Sequence, residues 1–431
     1  MELYSVFLKH PVVCTDSRNC PPASLFFALK GANFNGNAYA CQALEKGCAC
    51  AVVDEAEYAR DERYILVDDA LKALQDLASR HRKQLGTTLI GITGTNGKTT
   101  TKELIATVLS RKYRTLYTGG NLNNHIGVPL TLLKLTAEHE IGVIEMGASH
   151  AGEIRELANI VSPDYGIITN VGKAHLEGFG SFEGVMQAKS ELYDFIAQNG
   201  GKIFINAGND YLAAMARKSG IVPDKWIKYG KSSGNDLFVQ GDTLNNLPVL
   251  EMKCRTKGES FEIKTNLTGV YNAENVLATV ATGHFFGVSD REIAAGIEHY
   301  EPKNNRSQLL KTKRNTLIVD AYNANPNSMS EAIRNFAQLK SDNKVLILGD
   351  MLELGAESQK EHQNIVGLLQ STGFTNVLLV GRQFKSAEHN FYAFDDVASL
   401  NEYLQRNPVC DAWALIKGSR GIMLEKTIEF L

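Results

Sequence analysis

The run Leu89-Ile90-Gly91-Ile92-Thr93-Gly94-Thr95-Asn96-Gly97-Lys98-Thr99-Thr100-Thr101-Lys102-Glu103 constrains this chain more than any other stretch. It reads as an apolar strand, a glycine-rich turn and a helix start, the arrangement that holds a nucleotide triphosphate. Glycines let backbone N–H groups close around phosphate oxygens, and the helix N-terminus turns its partial positive charge toward them. Lys98 is spaced to reach the outer phosphates, and the Thr99 hydroxyl to ligate Mg²⁺. The glycine pattern is a variant, because Ile92 stands where the commoner form has its first glycine, with Gly91 and Gly94 on either side. Gly94, Thr95, Asn96, Gly97, Lys98, Thr99 and Thr100 are therefore the candidate cradle for a nucleotide triphosphate, and Lys98 its candidate catalytic cation.

A length of 431 residues with 44% hydrophobic and 22% charged content fits a soluble globular protein of several domains. A net charge of −3 and the absence of any low-complexity tract point away from a nucleic-acid-binding surface or a polybasic membrane patch. The start Met1-Glu2-Leu3-Tyr4-Ser5-Val6 has no basic segment leading an apolar one, and no apolar run approaches the ~20 residues of a membrane span. A cytoplasmic monomer without membrane insertion, acting on small molecules, is the expectation. Seven cysteines, an odd number without a Cys-x-x-Cys pair, argue against a disulfide framework and against a zinc site. Cys48-Ala49-Cys50 reads as the small-residue start of a buried strand.

Hydrophobic patterning divides the chain into three α/β units. Residues 1–86 carry strand candidates at Leu25–Leu29, Ala49–Val53 and Tyr64–Val67 and a helical pattern at Ala70–Gln84. Residues 87–301 alternate strands (Thr88–Thr93, Ile141–Met146, Tyr165–Asn170, Lys202–Asn206) with helices, one from Lys98 and one from Ala273 to Phe286. They read as a central doubly wound domain on a parallel sheet. Within it, Leu237–Thr268 alternates polar and apolar residues and predicts an antiparallel edge. Residues 302–431 restart the alternation at Thr316–Val319, Lys344–Leu348, Val377–Val380 and Ala412–Ile416, a smaller Rossmann-like domain.

Polar residues recur at strand ends, where such sheets bind ligands. Glu145 ends Ile141-Gly142-Val143-Ile144 and is a candidate Mg²⁺ ligand; His175 follows the strand and loop Ile167–Ala174 and is a candidate metal- or phosphate-facing group. Asp320-Ala321-Tyr322-Asn323-Ala324-Asn325-Pro326 places a carboxylate and amides after Leu317-Ile318-Val319. Asn304-Asn305-Arg306-Ser307 supplies an arginine able to grip phosphate across a cleft, or alternatively an ordinary surface ion pair. Lys417-Gly418-Ser419-Arg420-Gly421 suggests an anion-binding turn. Lys189, in Gln187-Ala188-Lys189-Ser190-Glu191-Leu192, carries no signal of its own and composition makes it solvated surface.

Taken together, these stretches resemble the ATP-dependent Mur ligases of peptidoglycan synthesis. The resemblance runs from Thr15-Asp16-Ser17-Arg18 and Leu25–Gly31, through the Gly94–Thr99 loop, Gly120–Asn124, Glu145–Ala148 and His175–Gly180, to Asp320–Pro326, Leu348–Gly355 and Lys417–Arg420. Asn121–Asn124, His175–Gly180 and the Leu348–Gly355 run look like the branch that adds D-alanyl-D-alanine. The resemblance implies that the first domain binds a UDP-sugar peptide, UDP-N-acetylmuramoyl-tripeptide, through Ser17, Arg18, Asn35 and Gly36. It implies that the second binds ATP and that the third closes over ATP and the dipeptide. It implies nucleotide contacts at Asn272, Asn275, Arg306, Asp320 and Asn323, and substrate contacts at Asn121, Asn124 and Asn325. It also implies that Lys189 is carbamylated and joins Thr99, Glu145 and His175 as a Mg²⁺ ligand; His125 receives no role. Other amino-acid-adding ligases of the superfamily, and a phosphate-loop switch that makes no covalent product, are the rivals.

Overall fold

The computed structural model describes residues 2–231, 236–303 and 305–431, so Met1 and the Asn304 of the arginine motif lie outside the described residues. Three main sheets follow one another along the chain. The first has four parallel strands in the order Val13–Cys14, Leu25–Phe27, Cys50–Val53 and Tyr64–Leu66. The helix Ala70–Leu85 packs beneath it, started by the Asp69 side chain accepting the Lys72 N–H and closed at Gly86. Its buried Leu74 and Leu77 join the inner face of the first sheet to Leu89, Val128 and Ile144 of the next, so the two units share one core.

Nine strands form the central sheet. Thr88–Thr93, almost wholly buried, is flanked on one side by the parallel strand Ile141–Glu145 and on the other by the parallel strand Tyr165–Ile168. Strands reached in opposite directions from Thr88–Thr93 make this the switch point of a doubly wound sheet, where the turns at the carboxyl ends separate and leave a crevice. The sequence places the phosphate loop, Glu145 and the His175 loop at these three ends. Lys202–Asn206, Trp226–Gly230 and Val239–Asn245 extend the sheet in parallel, and Glu251–Thr256 and Glu259–Lys264 finish it as an antiparallel meander. The expected antiparallel edge is present, except that its first strand joins Trp226–Gly230 in parallel.

The third sheet has six strands; only Gln308–Lys311 runs antiparallel, against Thr316–Asp320. Apolar side chains cover both its faces. The helix Pro326–Ala337 leaves the end of Thr316–Asp320 under a capping box of Asn325 and Ser328, with proline in its first turn. Among the described residues no helix is long and apolar enough to cross a membrane.

Candidate active site

The phosphate loop is held open by its own neighbours. Gly97 sits at φ +77°, and a Cβ there would stand 2.5 Å from the Asn275 Oδ1; at Gly94, φ +143°, a Cβ would reach the Thr169 hydroxyl at 2.0 Å. Only glycine serves at both positions. The Asn96 N–H donates to Asn170 Oδ1 at 2.9 Å and the Thr169 hydroxyl donates to the Asn96 carbonyl at 2.6 Å, fixing the turn against the adjacent strand end. Lys98 folds back and donates to the carbonyls of Gly94 and Thr95 at 2.7 and 3.1 Å. Burial holds its ammonium below the usual lysine range, opposed by Glu145 and assisted by Arg306.

Glu145 is 1% exposed. Its Oε1 accepts from the Thr99 hydroxyl at 3.1 Å and from the Asn123 amide at 2.8 Å, while its Oε2 is buried with no hydrogen-bond partner among the described residues. The nearest cation, Lys102, stands 3.9 Å from that oxygen and spends its ammonium on the Thr118 carbonyl at 2.7 Å. A buried carboxylate oxygen left bare beside a threonine hydroxyl is a donor set for a hard cation, and it fits Mg²⁺.

His175 occupies the left-handed region at φ +50°, an uncommon state for a non-glycine residue. Its Nδ1 pairs with Glu353 Oε2 of the third unit at 2.6 Å, and this bond holds the Glu353 carboxyl below its ordinary range. Lys189 overturns the composition-based expectation of a solvated side chain: it is 2% exposed in the helix Phe182–Gln198. Burial, with help from the Lys98 charge, brings its ammonium down to about 7. Lys189 and His175 approach the same ring, Phe179, at 5.3 Å from the ammonium and 6.3 Å between ring centroids.

From the third unit, Arg306 stacks 3.6 Å above the Tyr322 ring and keeps a buried Nε without a hydrogen-bond partner among the described residues. Lys417, 1% exposed, reaches Asp320 Oδ2 at 2.5 Å, and Asp320 Oδ1 accepts the Ser307 N–H. Asn325 donates to Asn96 Oδ1 at 2.7 Å, joining the third unit to the phosphate loop. Asn275 accepts from the Thr101 hydroxyl and donates to Asn272, which donates to the Thr268 carbonyl, so both amides are locked.

Most of these groups line one cavity of about 910 Å³ between the central and third sheets. Of the residues singled out by sequence, Thr95, Asn96, Gly97, Lys98, Thr99, Thr100, Asn121, Asn124, Glu145, His175, Asn272, Asn275, Arg306, Asp320 and Asn323 border it. Gly94, Lys189 and Asn325 are not in that lining, although Gly94 accepts from Lys98 and Asn325 donates to Asn96, both of which are. Ser17, Arg18, Asn35 and Gly36 lie apart, in the first unit: Ser17 donates to Gln42, Arg18 pairs with Asp16, and Asn35 donates to Glu55. Sequence reasoning passed over Lys102, Tyr322 and Glu353 as individual residues. Lys102 was findable, one helical turn beyond Lys98 on the same face.

Three family profiles match the chain in succession: the Mur ligase family catalytic domain over residues 11–82, the Mur ligase middle domain over 92–283, and the Mur ligase glutamate ligase domain over 305–420. The chain is similar to the UDP-N-acetylmuramoyl-tripeptide--D-alanyl-D-alanine ligase of Bacillus subtilis (strain 168), 34% identical over 439 residues that cover 97% of this chain and 92% of the relative. Among solved structures, MurF from Acinetobacter baumannii matches with a TM-score of 0.86 and 31% identity, covering 97% of this chain and 92% of that one. MurF ligase from Thermotoga maritima in complex with ADP shares the fold, with a TM-score of 0.85 at 24% identity over 98% of this chain and 97% of that one. The cavity between central and third sheets, the phosphate loop at its floor and this similarity along the whole chain lead to one conclusion: the protein belongs to the Mur ligase family.

Proposed function

We propose that this chain is an ATP-dependent, ADP-forming amide ligase that adds D-alanyl-D-alanine to UDP-N-acetylmuramoyl-tripeptide, in the cytoplasm and as a monomer. The observation that carries the reading is the cavity itself, where a phosphate loop on one sheet faces Arg306, Asp320 and Lys417 on another. We place the domain boundaries at 86/87 and 301/302, since each span carries a sheet of its own. The names of the relatives and the ADP in the Thermotoga neighbour support the substrates and the nucleotide.

A carboxylate does not acylate an amine at neutral pH without activation. The tripeptide's terminal carboxylate oxygen attacks the γ-phosphorus of ATP, the bond to the β–γ bridging oxygen breaks, and ADP leaves an acyl phosphate. The amine nitrogen of D-alanyl-D-alanine then attacks the acyl carbon. Its C–O bond to phosphate breaks, the nitrogen releases a proton, and UDP-muramoyl-pentapeptide and inorganic phosphate result. Lys98 and the helix N-terminus stabilise charge on the transferred group, and Arg306, whose Nε has no hydrogen-bond partner among the described residues, grips phosphate from the opposite wall. Asn272 and Asn275 hold the nucleotide, with Asp320 and Asn323 beside it. Thr99 and Glu145 would hold one Mg²⁺ and His175 with Lys189 another, lowering the repulsion between carboxylate and triphosphate. Lys189 serves as a carbamate: with its ammonium near 7 a large share of the amine is neutral and free to attack CO₂, releasing a proton and becoming an anion. Asn121, Asn124 and Asn325 face the peptide ends, and Ser17, Arg18, Asn35 and Gly36 the UDP-sugar.

The test is phosphate release from ATP with UDP-muramoyl-tripeptide present, measured with and without an amine acceptor. Release that requires the amine supports ligation. Equal release without amine would leave an ATPase or switch and remove the ligase reading.

A further inference from the structure

The first sheet carries a cluster that the ligase chemistry does not use. Cys14 ends the strand Val13–Cys14, Cys20 lies on the loop that follows, and Cys48 stands just before the strand Cys50–Val53. The two strands lie on either side of Leu25–Phe27, and the three cysteine side chains pack into one cluster although the sequence separates them. The Cys14 sulfur is 3.6 Å from that of Cys20 and 3.8 Å from that of Cys48, and all three lie within 4.8 Å of one another. Sulfurs bonded tetrahedrally to a zinc-class ion at about 2.3 Å are about 3.8 Å apart. A disulfide would join one pair and leave the third sulfur out, whereas here Cys14 stands at nearly equal distance from both others.

We propose that Cys14, Cys20 and Cys48 form a binding site for a thiophilic divalent cation of the zinc class. Three soft sulfur donors select such an ion over Mg²⁺. Cys14 and Cys48 are buried and Cys20 half-buried, which leaves a side open for the ion to arrive and for water as a fourth ligand. The Ser24 hydroxyl, 3.3 Å from Cys48 and 3.5 Å from Cys14, adds an oxygen to the rim. No spaced motif announces the site in the sequence, and the expectation that the cysteines hold no zinc is replaced by this one. The ion would clamp the loop between Cys14 and Cys20 onto the sheet. That loop carries Ser17 and Arg18, so an effect on the UDP-sugar rests on the proposed function; the metal site itself does not.

The experiment uses the full chain, reduced and stripped of metal, titrated anaerobically with Co²⁺ in the absence of nucleotide. A thiolate-to-cobalt charge-transfer band that saturates at one ion per chain and is displaced by Zn²⁺ is the expected result. Zn²⁺ should also raise the thermal midpoint. Cys20→Ser, at the half-buried position least able to disturb the core, abolishes the band, as does Cys48→Ser. Cys41→Ser and Cys50→Ser retain it. Absence of a thiolate band, a band that survives Cys20→Ser, or a Cys14–Cys20 disulfide found by mass spectrometry in freshly purified protein would each overturn the proposal. None of these readouts depends on ligase activity.

Discussion

Lys98 donates to two carbonyls of its own loop, and ATP offers phosphate oxygens in their place. Removing a cation aimed at developing charge costs roughly 10²–10³ in rate. Lys98→Ala is therefore expected to lower kcat/KM for ATP-driven phosphate release by at least that factor, and near-normal turnover would contradict its role. Lys189 gives a pH prediction. Its amine is neutral above about 7, and only the neutral amine forms the carbamate. Activity in CO₂-depleted buffer should thus fall as pH drops from about 8 to about 6 and be restored by bicarbonate, which adds the substrate of the modification. A rate indifferent to CO₂ across that window would exclude the carbamate. The same lowered value has a stability sign. Between about 7 and the ordinary lysine range the unfolded chain binds the proton that the folded chain has lost, so stability rises with pH there. Lys189→Met should flatten that slope in urea melts.

At the level of elements, the strand Thr88–Thr93, the turn and the helix start at Lys98 were legible, though not the helix end at Leu109, because buried β-branched residues, glycines and a helix start have separate sequence signals. Thr88–Thr93, Lys202–Asn206 and Val377–Val380 have the bounds that their apolar runs predict. Short strands such as Thr115–Tyr117 and Tyr392–Phe394 were not legible, since three residues at a sheet edge carry too little pattern to separate from loop. Lys189 misled for a different reason. It lies on the apolar stripe of its helix, beside Val185, Ala188, Leu192 and Ile196, and the stripe, rather than the residue, gave its burial away. Two substitutions test the elements around the cavity. Gly97→Ala forces an alanine to φ +77° against a locked Asn275, at a cost of about 1–3 kcal/mol, and should raise KM for ATP and lower the thermal midpoint. Asn325→Ala removes a helix cap worth about 1 kcal/mol together with the bond to Asn96, and should lower the midpoint and weaken ATP binding together. A midpoint unchanged in both variants would mean that the loop and cap are not as strained or as coupled as their geometry requires.

For the whole molecule, what the sequence could not give is how the three units meet. The cavity depends on contacts between distant segments: His175 with Glu353 at 2.6 Å, Lys173 with Glu361 at 3.0 Å, and Asn96 with Asn325 at 2.7 Å. All three tie loops of the central sheet to the third unit. Loss of partly exposed ion pairs costs about 1 kcal/mol, near a fivefold change in an equilibrium constant. Glu353→Ala combined with Glu361→Ala should therefore raise KM for ATP about fivefold and enlarge the radius of gyration in small-angle scattering, with the separate cores left intact. An unchanged KM would show that these pairs do not hold the third unit over the nucleotide. Opposed walls of this kind suit a reaction in which a carboxylate, a triphosphate and an amine must meet away from water.

The central claim is that the cavity joins one particular pair of substrates, and the mass of the product tests it most directly. The purified chain would be incubated with ATP, UDP-N-acetylmuramoyl-tripeptide and, in parallel, D-alanyl-D-alanine, single D- or L-amino acids, or no amine. The account predicts that the dipeptide alone yields a new species, heavier than the tripeptide by the dipeptide less one water, in step with ADP. Addition of a single amino acid instead, or ADP formation with no change in the tripeptide's mass, would contradict it.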